Sequence, residues 1–534
     1  MNPARPARIS IGVQLLVRRW PWPEILILVL AAALRLVALD LKPPHFDEGV
    51  NGWFADQMAH TGYYNYDPTN YHGPLHMYAV FVSQKLLGRD IIALRLPAVL
   101  ASLAAVWLTL RFGRFVGVNA SRWAAAAMAV SPACVFYARY SIHESELLAF
   151  LLLTAWGILE MWKNGTRAGL YAFAAGTAGM ILTKETYFIH LGCLALAIPC
   201  LLLWQLLSPS RPATPLARPL WTSRQIVAAA ALGVFAIIFF YSGTFLHWEG
   251  LKGLYETYAA WFKTGVAANG HAKEDYERIH VTIFGWDWTQ KTYLNYYWLA
   301  LMARYEWPAL LGLAACIRLL WPAPAQLRYL AIYGVGALLA YTIIPYKTPW
   351  LILVLLWPFF LTFGALVQEL SHFAVVPALA AAVVTLSMMR SAQLNFRDFA
   401  NPKEPYVYVQ TFPEIRRLTD PLLKLAHDNP AAYQLNGDFM LGSYYPLPWM
   451  LGDFTMIAYH SDKDWPERLD GDFIATEVSK AERVEPMLRE PYYRVPFRLR
   501  DAQEDCVAWF RVATFRSVLD GQPIVGPQTP AAPR

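Results

Sequence analysis

Charge is scarce in this sequence. Asp, Glu, Lys and Arg make up only 16% of its 534 residues, against about 25% in soluble globular proteins. Hydrophobic residues reach 56%, and the 21 Trp and 29 Tyr are of the kind that band membrane interfaces. These proportions exclude an ordinary soluble enzyme and describe a polytopic membrane protein. Cysteine is sparse too. Cys134, Cys193, Cys200 and Cys316 lie in apolar runs and Cys506 in a polar region. No CxxC spacing occurs, which argues against a disulfide framework and a thiolate metal site. No internal repeat is found. The net charge of +6 comes from Lys and Arg gathered in particular loops, a sign of orientation rather than of nucleic-acid binding.

What the chain does have is long apolar runs. A span needs about 20 apolar residues to cross the hydrocarbon. Eleven runs qualify: 22–39, 91–112, 122–138, 146–162, 169–183, 186–207, 226–247, 297–320, 328–345, 350–368 and 373–390. Only Thr183, Lys184 and Glu185 divide the fifth from the sixth. The apolar segment 77–88 is too short to cross and reads as an amphipathic helix lying on the membrane. Arg5, Arg8, Arg18 and Arg19 precede the first run and no small-residue cleavage site follows it, so that span is read as retained. The arginines of the N-terminus, Arg111/Arg114/Arg122, Lys163/Arg167, Arg211/Arg218/Arg224 and Arg318/Arg328 fall on one side. The positive-inside rule makes that side cytoplasmic. The loops 40–76, 139–145 and 248–296 and everything after 391 then face outward. Residues 391–520 change character to a small soluble α/β domain. PYVYVQ, MIAYH and GDFIATEV read as strands there, and PEIRRLTDPLLKLAHD as an amphipathic helix. A Pro-rich tail, 521–534, reads as disordered.

The outward loops hold the candidate chemistry. The stretch from His45 to His76 contains the adjacent acids Asp47 and Glu48, then Asp56, Asp67 and His72, with no Lys or Arg. One acid of the pair can act while the other binds a metal or a cationic group, and proximity would raise the pKa of one, as suits a general base. The plainer alternative is an N-cap pair for a helix through 49–60. The second loop, ARYSIHESE, supplies Arg139, His143, Glu144 and Glu146. Ionisable residues at a membrane edge are costly, and they either have a role or simply flank a helix. Glu144 with Asp47 or Glu48, and His72 or His143, offers an oxygen/nitrogen set for a divalent cation. Lys184 in LTKET, Lys347 in IPYKTPW and Arg35 near the outer end of the first span would together form an anion site for a phosphate, unless they snorkel to headgroups. In the 248–296 loop, His271 is a candidate ligand or acceptor-site residue. The Trp- and Tyr-rich run after it suits sugar stacking or the interface.

As an ordered set these segments resemble a known family. The acid pair after the first span, Y-x-Y-D-P, H-G-P-L and L-R-L-P-A resemble the GT-C superfamily of membrane glycosyltransferases. The similarity is to the branch of protein O-mannosyltransferases and aminoarabinose transferases (glycosyltransferase family 39-like). YNYDPTNYHGPLHMY, SPACVFYARYSIHE, LTKET, NGHAK, YKTPW and EPYVYVQT look like its bacterial and archaeal flippase-activity-associated subfamily. The resemblance implies a GT-C fold in a bacterial or archaeal cell membrane, with the active site on the periplasmic side. It implies a sugar donor on a polyprenyl phosphate and a protein, glycan or lipid acceptor in cell-envelope or protein glycosylation. Asp47 would be the base and Glu48 a second site carboxylate. Glu144 would be the acid of the second loop, and Lys184, Lys347 and Arg35 would hold the leaving phosphate. Arg139, His72 and His271 complete the candidate substrate ligands, and Glu48, Glu144 and His72 the metal set. Inversion is expected, because no second carboxylate is placed as a covalent nucleophile. Two departures stand out: His72 takes the place of a Glu before the Pro-Leu element, and a long insertion follows NGHAK. The rivals are a lipid-flipping accessory that binds such donors without chemistry, for which the paired half-repeats of transporters are missing, and an assembly protein acting through its outer domain.

Overall fold

The computed structural model describes residues 21–208, 216–265, 282–283, 286–287, 296–319, 323–344, 346–461, 465–466, 469–501 and 503–526. His271 lies outside the described residues, as do residues 527–534 of the tail; the start of the tail, expected to be disordered, is instead held by Ile524–Val525 pairing with Tyr492 and Tyr493.

Six helices among the described residues are long and apolar enough to cross a membrane: Ile91–Val116, Glu144–Asn164, Tyr187–Leu207, Ser223–Tyr241, Pro349–Glu369 and Val375–Phe396. The other five expected spans are occupied by shorter, interrupted or, at Ala325–Ile343, less apolar helices. The first, α1, covers Trp22–Leu36. Val118–Val130 breaks at Ser131 before Pro132–Phe136, and Tyr297–Tyr305 breaks at Glu306 before Trp307–Leu319. Small residues let these rods approach closely, as membrane packing requires. A Cβ on Gly364 would lie 2.0 Å from the Ala120 carbonyl oxygen. The helix Leu353–Glu369 consequently runs through the middle of the bundle, with nearly all its side chains buried. By contrast, Ser223–Tyr241 turns most of its side chains outward.

Two short helices build the face that carries the site. Helix α2, Phe46–Thr61, starts at a capping box in which the His45 ring accepts from the Asp47 amide and the Glu48 carboxylate reaches back to the His45 amide. Helix α3, Leu75–Leu87, is the short apolar segment of the sequence, and it packs on α2 and on α4, Ile91–Arg111.

Beyond the membrane part, a two-residue pair of strands, β1 (Thr282–Ile283) and β2 (Trp286–Asp287), stands alone. The C-terminal domain is a six-stranded sheet ordered β4-β3-β5-β7-β6-β8. Its strands are β3 (Gly437–Met440), β4 (Ile457–Tyr459), β5 (Phe473–Glu477), β6 (Tyr492–Phe497), β7 (Cys506–Arg511) and β8 (Ile524–Val525). The β4-β3-β5 part is parallel and the remaining pairs are antiparallel. Alternate residues of β5 enter cores on opposite faces, Phe473 and Ala475 on one and Ile474 on the other. The amphipathic helix of the sequence forms at Arg416–Asp428, where Leu418, Leu422 and Ala426 cover the first face. PYVYVQ departs from expectation: it is irregular chain, because its groups bond to the membrane part instead of to a strand. The Tyr408 carbonyl takes the His45 ring, and the Gln410 amide donates to the Pro43 carbonyl at 3.0 Å.

The domain is clamped onto α2. Gly49 and Gly52, one turn apart, leave a groove for residues 446–449. A Cβ there would lie 2.4 Å from Pro446 Cα and 2.5 Å from the Trp449 ring. Arg89 closes the seam by pairing with Asp56 at 2.8 Å and with Asp453 at 3.4 Å, and it donates to the Trp449 carbonyl.

Candidate active site

Between the clamp and the helix ends lies a cavity of about 860 Å³. Its walls come from the start of α2, the segments 69–72, 142–144, 184–189 and 341–351, and the C-terminal domain. Two wall residues, Tyr71 (φ 42°) and Val409 (φ 51°), hold the left-handed backbone conformation that non-glycine residues rarely adopt. For a β-branched residue such as Val409 that is a true outlier, of the kind that gathers at functional sites.

The acid pair divides its work. Asp47, in the first turn of α2, lines the cavity with its side chain 40% exposed, and the His45 ring lies 3.8 Å from it. Glu48 faces the other way and is completely buried. The Arg95 fork grips it through two bonds of 2.8 Å, and the His45 and Ser141 amides each donate to it at 2.8 Å. Burial alone would raise its pKa. The Arg95 and Lys42 charges with these hydrogen bonds outweigh that and hold it below the usual carboxylate range. The expected raised pKa is therefore corrected at Glu48, which structurally is the cap acid of α2 and the anchor of the second loop.

Of the remaining cavity acids, Glu504 accepts from Ser479 and the others are paired. Glu144 binds Lys184, and Glu185 bonds the His72 ring at 2.9 Å. Burial of Lys184 would depress its pKa, but Glu144 and Glu185 together raise it. A backbone bridge between His72 and Lys184 fixes the two loops to each other. His143 sits between His72 and His76, its ring tilted to both with centroids 4.6 Å from each. Burial, then the two flanking rings and Lys184, depress His143 strongly. His76, also buried, is raised instead, because Glu146 bonds it at 2.9 Å.

Three expected phosphate or substrate ligands stand elsewhere. Arg35 is buried in the bundle, donating to Ser102 Oγ at 2.9 Å and to the Ala31, Met128, Ala129 and Cys134 carbonyls. Arg139 caps the end of α1 through the Leu34, Arg35, Val37 and Ala38 carbonyls. Lys347 closes Ala325–Ile343 by donating to the Tyr341 and Thr342 carbonyls at 2.6 and 3.0 Å and to that of Ile344. All three satisfy carbonyls that helix ends leave without partners, and none is on the cavity wall, although Tyr346 and Thr348 beside Lys347 are. The metal set also comes apart. Glu48, Glu144 and His72 are each committed to a different partner. Among the described residues, no three His, Cys, Asp or Glu side chains are grouped to hold a metal ion.

The sequence reading missed the residues that reach the cavity from the far end of the chain: Ser443, Glu477, Ser479, Lys480, Arg500, Gln503 and Glu504. No local spacing marks them. His45 had a visible signal, since its place three residues before Glu48 makes a capping box.

Residues 71–241, about a third of the chain, match the sequence model of the family described as dolichyl-phosphate-mannose-protein mannosyltransferase. No curated protein matches the chain by sequence. Two crystal structures of ArnT from Cupriavidus metallidurans share its fold. One, bound to undecaprenyl phosphate, has a TM-score of 0.57 at 14% identity and covers 91% of this chain and 97% of that one. The other, in the apo state, has a TM-score of 0.56 at 16% identity and covers 94% and 99%. The fold is therefore that of the GT-C membrane proteins, carried here with a small C-terminal sheet domain.

Proposed function

We propose that this GT-C-fold chain is a membrane glycosyltransferase that moves one sugar from a polyprenyl-phosphate carrier to an acceptor, with Asp47 as general base. One observation carries the reading. Glu144, Glu185 and Glu477 are paired with Lys184, His72 and Lys480, and Glu504 is bonded by Ser479, whereas Asp47 presents its carboxylate to the cavity beside the His45 ring at 3.8 Å, with the charge of Arg500 acting on it across the wall. In the step, the acceptor hydroxyl or amine gives its proton to Asp47 and its heteroatom attacks the anomeric carbon. The bond from that carbon to the phosphate oxygen breaks, and the electron pair leaves on polyprenyl phosphate. Lys184 is the cavity cation best placed to stabilise that departing charge. Attack opposite the leaving group inverts the anomeric centre. The undecaprenyl phosphate found in ArnT and the mannosyltransferase profile over 71–241 support a lipid-phosphate donor. The loop arginines and lysines support a cytoplasmic N-terminus with the cavity and the 391–520 domain outside.

The test compares wild type with Asp47→Asn in lipid nanodiscs, using radiolabelled polyprenyl-phosphate sugars and extracted cell-envelope acceptors. Loss of a general base predicts turnover lower by about 10²–10⁴-fold, with donor binding kept. If the variant turns over as fast as an active wild type, the mechanism is wrong. Donor binding without turnover in either would favour the flipping accessory.

A further inference from the structure

The loops after β3, β5 and β6 and the loop before β7 all emerge at one end of the sheet, and that end faces the cavity. They bring Ser443, Glu477, Arg500 and Gln503 to its wall. In open α/β sheets, ligands bind at the carboxyl ends of parallel strands where the strand order reverses. Here β3 is followed by β4 on one side and β5 on the other, so the reversal lies at this wall.

Apart from Glu477 Oε2, which is ion-paired with Lys480 at 2.8 Å, two side chains there carry buried polar atoms with no hydrogen-bond partner among the described residues: Arg500 Nε and Gln503 Oε1. Arg500 is 5% exposed, lies over the Phe46 ring at 4.9 Å, and donates from Nη2 to the Tyr445 carbonyl. Gln503 Nε2 faces two acceptors, the Ser443 carbonyl at 3.2 Å and Glu477 Oε1 at 3.5 Å. That fixes the amide orientation and turns Oε1 away from them. The wall thus offers one strong donor and one acceptor. A buried polar atom left without a partner is costly, and a hydroxyl, which both donates and accepts, can serve the two together.

Charge decides against an anion. Arg500 and Lys480 are balanced by Glu477 and Glu504, and Glu477 bonds Lys480 at 2.8 Å. A phosphate would meet both carboxylates and could give nothing to Gln503 Oε1. Tyr408 and Trp350 also line the cavity, aromatic surface of the kind against which a sugar packs. A polypeptide added as a strand would need a sheet edge, and the edges are β4 and β8 rather than this end.

From this wall we infer that the C-terminal domain forms an acceptor subsite for the hydroxyls of an uncharged glycan, with Arg500 and Gln503 as binding residues. This rests on the transferase reading above and names its acceptor class. The probes are methyl glycosides of glucose, mannose, galactose and N-acetylglucosamine, followed by saturation-transfer NMR on the full chain in nanodiscs. Undecaprenyl phosphate binding and melting temperature are read on the same samples. At least one glycoside should bind wild type, and both Arg500→Gln and Gln503→Leu should weaken it at least tenfold. Gln503, half-buried, is the substitution that spares the fold. The inference is overturned if no glycoside binds, or if both variants bind it as wild type does. It is overturned as well if an acetylated Ser/Thr peptide binds in the glycosides' place, or if Arg500→Gln loses undecaprenyl phosphate rather than glycoside. A wild type that binds glycoside but never undecaprenyl phosphate would keep this subsite and remove the transferase reading.

Discussion

Glu48→Gln and Asp47→Asn are chemically the same exchange at adjacent positions, and they should have opposite consequences. At Glu48 the exchange removes the negative charge between the two Arg95 bonds and leaves a guanidinium buried and uncompensated. It also sets an amide NH₂ against donors, since the His45 and Ser141 amides point at the same group. Breaking a buried ion pair from one side costs about 3–5 kcal/mol. Unfolding entropy scales with chain length, so for a chain of this size each kcal/mol moves the midpoint by about 1 °C, giving a fall of about 3–5 °C. Asp47, 40% exposed and held by no Lys or Arg, should lose little stability. The assay is the temperature at which half the detergent-solubilised protein leaves the monodisperse peak, measured for wild type, both variants and Glu48→Leu/Arg95→Met. The double variant should recover the ion-pair part of the loss and no more, because two backbone amides stay unpaired and the Leu39, Lys42 and Pro43 carbonyls lose the Arg95 donors. Equal stability of Glu48→Gln and wild type, or an equal fall in Asp47→Asn, would refute the division of labour within the acid pair.

Gly49→Ala should loosen the C-terminal domain, since its Cβ would lie 2.4 Å from Pro446 Cα. Overpacking costs about 1–3 kcal/mol, and limited proteolysis of the 397–412 connection should speed up accordingly. The buried histidines predict a bell-shaped dependence of melting temperature on pH. His143, depressed by burial, binds a proton more readily in the unfolded chain, so its contribution grows as pH rises toward 6.5. His76 is held above that value because Glu146 outweighs its burial, so its contribution is complete below 6.5 and is lost as pH climbs past it. His76→Gln should flatten the alkaline limb and His143→Gln the acid one; unchanged limbs would count against these assignments.

Much of the architecture was legible because it is written in composition and local pattern. The apolar runs marked the helices, and the strands MIAYH and GDFIATEV and the helix at 416–428 followed from alternation and amphipathicity. Asp47 was found because a polar, acidic stretch after a span is anomalous in a chain so poor in charge. The other charges were harder to place. A membrane-edge arginine reads alike whether it meets a ligand or caps helix carbonyls, and for Arg35 and Arg139 only three-dimensional neighbours decide. PYVYVQ carries strand propensity, yet its polar groups are satisfied by His45 and Pro43, so pairing never forms. Arg500 lies some 450 residues from Asp47 in the chain, a separation across which no spacing rule operates.

The groove on α2 has a consequence for reading other sequences. The two glycines at 49 and 52 are compulsory only while a chain segment lies in the groove, so the four residues Gly49-Val50-Asn51-Gly52 report on a domain that begins more than three hundred positions later. A related chain with bulky side chains at both places should have discarded this sheet or seated it on a different helix. The stretch that follows α1 alone then sorts relatives by the architecture of their far ends.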